Sequence, residues 1–142
     1  HLKANHKKYG IEPRELEKYD IHIHFPAGAV PKDGPSAVIT LTTALASLFT
    51  GRKVRHDLAM TGEITLTGKV LGIGGLKEKV LAAKRAGITQ LILPRENEET
   101  ISDFPRDILE GMEITWVDSV KDVLDMVLMT KPAPKAGKPA QT

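Results

Sequence analysis

A run of fourteen residues without a charged side chain, residues 36–49, constrains the fold of this chain more than any other feature. Its length favours a helix over a buried strand, although Ile39 and the threonines of the run also permit a strand at its start. A helix of this composition is expected to be buried on nearly all of its sides, so the rest of the chain has to pack around it. Gly51 is suited to the position that ends such a helix, because glycine adopts the left-handed backbone conformation readily.

The residues before this helix predict a short helix, a strand and a loop. Pro13 suits the first turn of a helix that carries Leu16 and Tyr19. Residues 20–25 alternate between apolar and polar side chains, which is the period of a half-buried strand. Residues 26–35 contain two glycines and three prolines, so this segment is expected to be a loop that leads into the uncharged helix.

The residues after the helix predict strands that alternate with helices. Residues 58–67 predict a strand that Gly62 interrupts, and residues 69–71 its partner in a hairpin. The other expected elements are a helix at 76–86 ended by Gly87, a strand at 88–93, short helical turns at 95–112, a strand at 113–117, and a helix through Met129 capped by Asp118 or Ser119. This order favours an α/β or α+β domain with a mixed β-sheet and flanking helices.

Charge and composition argue against several kinds of partner. The net charge is +2, but the last twelve residues carry three lysines and no acidic residue, so residues 1–130 sum to −1. No basic face for nucleic acid is expected from that balance. No apolar run reaches membrane-spanning length, so no membrane partner is expected. The absence of cysteine excludes disulfides and thiolate chemistry.

Ser36 is a candidate nucleophile because of where it stands. A serine at the start of a helix is first of all a capping residue, since its hydroxyl can accept a hydrogen bond from the first turn. The same position lies beside free backbone N–H groups and the positive end of the helix dipole. Those groups are the donors that an oxyanion requires, so the cap and the nucleophile remain alternative interpretations of Ser36.

Lys79 is the lysine that can act as a base for such a serine. At about 100° per residue, it falls within the apolar arc that Leu76, Val80 and Ala83 form on the predicted helix 76–86, whereas the other two lysines lie at or beyond its margin. Burial disfavours the charged form of a lysine, which is the condition for base catalysis. The alternative is a lysine whose aliphatic stem covers the edge of the core while its amine stays in water.

Four short motifs together resemble one known family. They are DIHIH at residues 20–24, PKDGPSA at 31–37, MTGEIT at 60–65 and GGLKEK at 74–79. These motifs, in this order and with Lys79 standing 43 positions after Ser36, resemble the protease domain of the A-type Lon proteases. The likeness extends from about residue 10 to residue 128.

This resemblance implies a serine–lysine dyad, with Ser36 as the nucleophile and Lys79 as the general base. It implies that Thr61 hydrogen-bonds to the lysine amine, and that Asp33 pairs with the lysine in an inactive arrangement of the loop. Three further residues match positions that support the site in the family: His22, His24 and Glu63.

The same residues have other interpretations. Two histidines on one strand face are weak evidence for a metal site without a third ligand, and neither a metal nor a cofactor is expected in this chain. The threonines and Glu63 of the MTGEIT motif can be the polar face of a strand. The glycines at 72–75 lack the GxxxxGK[ST] pattern of a phosphate-binding loop. One departure from the family is Val38, which stands where many members have glycine.

The resemblance also implies an organisation larger than this chain. Residues 1–130 are expected to form a Lon-type protease domain without the family's N-terminal strands, followed by a disordered Lys/Pro/Ala tail at 131–142. The full-length protein is expected to carry an ATPase module that binds ATP and magnesium, to form a hexamer, and to degrade unfolded or damaged proteins. The expected location is the bacterial cytoplasm, with the mitochondrial matrix as the alternative.

Two other functions remain open at this point. One is a serine–lysine amidohydrolase that acts on small amides. The other is a non-catalytic module that keeps the fold and forms contacts within a ring. A comparison of peptide and small-amide hydrolysis separates the amidohydrolase from the serine endopeptidase that the resemblance favours. Labelling of Ser36 by an active-site-directed serine acylator separates an enzyme from the non-catalytic module.

Overall fold

The computed structural model of the chain describes residues 1–24 and 35–130. Within these ranges the helices are α1 (His6–Tyr9), α2 (Pro13–Glu17), α3 (Val38–Thr50), α4 (Leu76–Arg85), α5 (Glu98–Ser102), α6 (Arg106–Leu109) and α7 (Val120–Val127). The strands are β1 (Leu58–Met60), β2 (Glu63–Ile64), β3 (Val70–Leu71), β4 (Gln90–Pro94) and β5 (Glu113–Val117), and two 3₁₀ turns lie at Pro35–Ala37 and Arg95–Asn97.

The strands form a parallel sheet and a separate hairpin. The parallel sheet has the order β1-β4-β5, with Ala59 opposite Leu91 and Leu91 opposite Ile114. β2 and β3 pair antiparallel, with Glu63 opposite Leu71. The expected strand at 58–67 is therefore two strands, because β1 turns away at Gly62 and only β2 joins the hairpin. The parallel and antiparallel pairing with flanking helices confirms the predicted α/β class.

Helices cover both faces of the parallel sheet. Alternate residues of β4 point to opposite faces: Ile92 packs in one apolar cluster, and Leu91 and Leu93 pack in the other. The first cluster is formed largely by α3 and α7, and the second by α4, α5 and α6. Each fully buried aliphatic side chain contributes about 1.5–3 kcal/mol through removal from water, so the two clusters hold the three layers together.

The uncharged helix α3 is less buried than its composition predicts. It ends at Gly51, which has the expected left-handed conformation with φ of +66°. Its buried residues form one stripe, Ile39, Thr43, Ala46 and Thr50, while Leu48 on another side is 67% exposed. The prediction of nearly complete burial was wrong for the described part of the chain, because α7 and β2 cover α3 from one side.

The strand expected at residues 20–25 is absent from residues 20–24, and residue 25 lies outside the described ranges. Ile21 and Ile23 are exposed instead of packed on a sheet. An alternating pattern becomes a strand only where a neighbouring strand supplies hydrogen bonds, and no described strand pairs with this segment. The loop at 26–35 and the tail at 131–142 fall almost wholly outside the described residues.

The other elements mostly follow the sequence prediction, but α2 ends at Glu17, so Tyr19 lies beyond the helix that was expected to carry it. α4 begins at Leu76 and stops two residues before Gly87, which has a φ of +73°. Ser119 caps α7: its hydroxyl accepts from the N–H of Asp122, whose carboxylate accepts from the N–H of Ser119. α1 was not predicted, because its four residues carry no apolar period. In the described residues no helix is long and apolar enough to cross a membrane.

Candidate active site

Ser36 lies in the 3₁₀ turn that precedes α3. The capping position of α3 is occupied by Ala37, and no side chain makes a capping hydrogen bond there. The hydroxyl of Ser36 instead accepts a hydrogen bond from Nζ of Lys79, with 3.3 Å between the two heavy atoms. The structure therefore does not show Ser36 as the capping residue of α3.

The backbone of Ser36 is held by the segment between β1 and β2. The carbonyl oxygen of Ser36 accepts from the hydroxyl of Thr61 at 3.3 Å and from the N–H of Gly62 at 3.1 Å. In return, the N–H of Ile39 donates to the carbonyl of Gly62 at 3.4 Å. Thr61 is only 7% exposed, and among the described residues its hydroxyl donates to the Ser36 carbonyl. These bonds fix the orientation of the turn that carries the serine.

This is not the role that the family resemblance implies for Thr61. That role is a hydrogen bond to the lysine amine, and among the described residues none joins Thr61 to Lys79. Thr61 does line the cleft beside Lys79.

Sequence reasoning treated Gly62 only as a break in a strand and missed its contact with the site. A Cβ atom at this position would lie 3.0 Å from Cγ1 of Val70 and 3.4 Å from Cδ1 of Ile39. The absence of a side chain allows the Gly62 backbone to lie close against Val70 and Ile39, and from this position its N–H donates to the Ser36 carbonyl. A glycine inside a strand pattern is the available signal, since it often marks a close backbone approach.

Lys79 extends from the first turn of α4 towards Ser36. Leu76, Val80 and Ala83 of the same helix are buried as predicted, but Lys79 lies at the edge of this apolar face and is exposed. The expected burial of this lysine is therefore not found in the described part of the chain. The aliphatic stem passes along an apolar cleft, and the amine reaches the serine. The cleft is lined by Ala59, Met60, Thr61, Val80, Ala83, Leu91 and Leu93.

The remaining predicted residues lie at different distances from Ser36 and Lys79. Glu63 is the first residue of β2, which lies next to the turn that carries Ser36. His22 lies beside Leu48 near the far end of α3, roughly 20 Å along the helix from its start at 1.5 Å per residue. The structure does not bring His22 to the site. His24 is exposed, and Asp33 lies outside the described residues.

Two further observations concern alternatives raised by the sequence. Val38 is the half-buried first residue of α3, and the contact between Ser36 and Lys79 forms with this side chain in place. Residues 1–24 and 35–130 contain no group of three or more His, Asp or Glu side chains close enough to share a metal ion. The chemistry that this geometry permits is proton transfer between a hydroxyl and an amine, beside an open apolar cleft.

The chain is similar to known proteins over nearly its whole length. The profile of the family described as "Lon protease (S16) C-terminal proteolytic domain" matches residues 1–130. The chain is 53% identical to the Lon protease of Desulforamulus reducens over 130 residues, which cover 92% of this chain and 16% of that protein. It is 53% identical over 129 residues to Lon protease 1 of Bacillus subtilis, covering 91% of this chain and 17% of the relative.

A third relative is the Lon protease of Amoebophilus asiaticus, which is 55% identical over 128 residues, or 90% of this chain and 16% of that protein. The chain thus spans about a sixth of the length of these curated relatives. The similarity covers nearly all of this chain and a small part of each relative.

Proposed function

Because the chain belongs to the Lon protease family and matches its C-terminal proteolytic domain, we propose that it is the catalytic part of a serine endopeptidase. Ser36 is the nucleophile and Lys79 the general base. The observation that supports this assignment is the 3.3 Å approach of Lys79 Nζ to Ser36 Oγ between residues 43 positions apart. A hydroxyl becomes a competent nucleophile only when a neighbouring base accepts its proton.

The proposed reaction has two halves. The neutral amine of Lys79 accepts the Ser36 proton while Oγ forms a bond to the carbonyl carbon of the scissile peptide. The ammonium then gives that proton to the leaving nitrogen, the C–N bond breaks, and an acyl-enzyme remains. In the second half Lys79 accepts a proton from water, whose oxygen forms a bond to the ester carbon. The C–Oγ bond then breaks, and the Lys79 ammonium returns the proton to Ser36 Oγ.

The surroundings of Ser36 suit this reaction. The bonds from Thr61 and Gly62 to the Ser36 carbonyl hold the nucleophile in one place, and the start of α3 offers backbone N–H groups for the oxyanion. Lys79 is an exposed residue, so a bound peptide is proposed to exclude water from the cleft. Such exclusion strengthens electrostatic interactions inside a site.

The supporting roles of the other residues are proposals that rest on the family resemblance. Glu63 is proposed to act from β2, next to the nucleophile turn. Asp33 is proposed to compete with Ser36 for Lys79, so that the loop conformation sets whether the site is active. His22 and His24 are proposed to contribute only indirectly, because the structure places His22 near the far end of α3.

The properties of the full-length protein are likewise proposed from the family. An ATPase module that uses ATP and magnesium would unfold substrates and thread them to Ser36. The assembly is proposed to be a hexamer, and the substrates to be unfolded or damaged proteins. The proposed location is the bacterial cytoplasm. The relatives are about six times as long as this chain, which leaves room for such a module.

An active-site-directed serine acylator tests the proposal. It is expected to label Ser36, to fail with Ser36→Ala, and to label Lys79→Met much more slowly. Ser102→Ala is the matched serine control, because Ser102 is an exposed hydroxyl on α5. Lack of Ser36 labelling in the folded protein would favour the non-catalytic ring module. Labelling with hydrolysis of small amides and no peptide cleavage would favour the amidohydrolase.

A further inference from the structure

The loop between β3 and α4 determines where Lys79 begins. It consists of Gly72, Ile73, Gly74 and Gly75, and Gly75 occupies the capping position of α4 with a φ of +65°. No side chain caps the helix there. A glycine-rich loop without a cap has many accessible conformations, so other contacts have to fix the start of α4.

Asn97 supplies two of those contacts. Its side-chain oxygen accepts from the N–H of Ile73 at 2.9 Å, and its side-chain nitrogen donates to the carbonyl of Ile73 at 2.9 Å. The amide thus pairs with both backbone groups of one residue, as a neighbouring strand would. Asn97 is 5% exposed. A side-chain amide offers a donor and an acceptor side by side, whereas an ionised carboxylate of the same shape only accepts and cannot replace it.

The preceding residue, Glu96, holds the same loop from the solvent side. One carboxylate oxygen accepts from the N–H of Gly72 at 2.8 Å, and the other accepts from Nζ of Lys69 at 2.8 Å. The hydrogen bond from Lys69, followed by the one from Gly72, lowers the pKa of Glu96. The carboxylate is about half exposed, so its removal leaves no buried gap.

The geometry of the dyad is sensitive to this loop. Lys79 is six residues after Ile73, in the first turn of α4. Its Nζ lies 3.3 Å from Ser36 Oγ, at the long end of the range for a hydrogen bond. A displacement of about 1 Å would break this contact, and misplacements of that size can cost about 10²-fold in rate.

We propose that Asn97, assisted by Glu96, is a positioning residue for the general base. By pairing with Ile73 it fixes the β3–α4 loop and thereby the distance from Lys79 to Ser36. It touches neither substrate nor reacting atoms. The inference rests on the proposed function, since a positioning role has meaning only if Lys79 is the base.

The test measures peptide turnover and Ser36 acylation in the full-length protein. Asn97→Asp keeps the acceptor for Ile73 N–H but places a carboxylate against the Ile73 carbonyl. It is expected to lower kcat by about 10- to 100-fold, with KM changed less than about twofold. Asn5→Asp is the matched control, because Asn5 lies in the N-terminal segment and bonds to His1. It is expected to match the wild type.

A merely structural role is separated by a double-mutant comparison. Asn97→Asp is expected to leave the residual acylation rate of Lys79→Met unchanged, because there is no longer a base to misplace. If adding Asn97→Asp lowered the acylation rate of Lys79→Met further, the inference would be overturned. An unchanged kcat in Asn97→Asp alone would overturn it as well. Leu124→Ala is the control for stability, because Leu124 lies in the apolar cluster on the sheet face opposite to α4. Its kcat, measured below the unfolding temperature, shows how much a loss of stability lowers turnover.

Two further variants separate misfolding of Asn97→Asp, and failure of Lys79 as the base, from failure of the inference. If Asn97→Asp does not fold, Glu96→Ala replaces it, because this variant removes only an exposed contact. Glu96→Ala is expected to lower kcat by about 3- to 10-fold. In the Lys79→Met background the same change is expected to have no effect on the acylation rate. If Lys79→Met acylates at the wild-type rate, the dyad itself fails. That result is distinct from a functional dyad that Asn97 does not influence.

Discussion

Replacing Gly62 by alanine is expected to damage both the fold and the site. The new Cβ would lie 3.0 Å from Val70 Cγ1, 3.4 Å from Ile39 Cδ1 and 3.5 Å from Pro94 Cγ. Val70 and Ile39 are almost completely buried, so neither side chain can move into solvent to relieve the contact. Overpacking of this kind costs about 1–3 kcal/mol.

The same displacement is expected to slow catalysis. Moving the Gly62 backbone away from Ile39 weakens its bonds to the Ser36 carbonyl and to the Ile39 N–H, which releases the nucleophile turn. Urea denaturation measures the free energy of unfolding, and peptide turnover well below the midpoint measures the effect on Ser36.

Gly74→Ala is the matched control for stability. A Cβ at Gly74 would meet no atom within 4 Å, and Gly74 has no positive φ. It is expected to change the free energy of unfolding by no more than about 0.5 kcal/mol. Equal urea midpoints for Gly62→Ala and Gly74→Ala would refute the packing argument.

Two further predictions concern stability and ionisation. Ser119→Ala removes the reciprocal cap with Asp122 and is expected to lower the free energy of unfolding by about 1 kcal/mol; an unchanged midpoint would show that the cap is not stabilising. The pKa of Glu96 is expected below its ordinary value of 4.5, chiefly because Lys69 donates to the carboxylate. Its contribution to stability is therefore present above pH 4.5 and is lost as pH falls through the lowered pKa. In an NMR titration Lys69→Met is expected to raise this pKa; an unchanged value would contradict the assignment.

Much of the fold could be predicted from the sequence because its signals are local. The apolar period on α4, the capping serine of α7 and the glycine after α3 each depend on residues close in sequence. Burial is not local, and the exposure of Leu48 shows the consequence. An uncharged helix is buried only where other elements cover it, and composition does not state which sides are covered.

The site was predicted unevenly for a similar reason. The four motifs suggested that Ser36 and Lys79 meet, although no spacing in the sequence requires it. The contacts of Gly62 and Asn97 are hydrogen bonds to backbone groups that lie far away in the sequence. The sequence pattern does not state which distant backbone group a residue meets, so sequence reasoning missed both contacts.

Peptide turnover by Lys79→Met, compared with Lys77→Met, tests the central claim most directly. Both variants remove one exposed lysine from the first turn of α4, but only Lys79 bonds to Ser36. The dyad predicts that Lys79→Met lowers kcat by at least about 10²-fold, while Lys77→Met retains the wild-type rate. Wild-type turnover by a folded Lys79→Met would contradict the account.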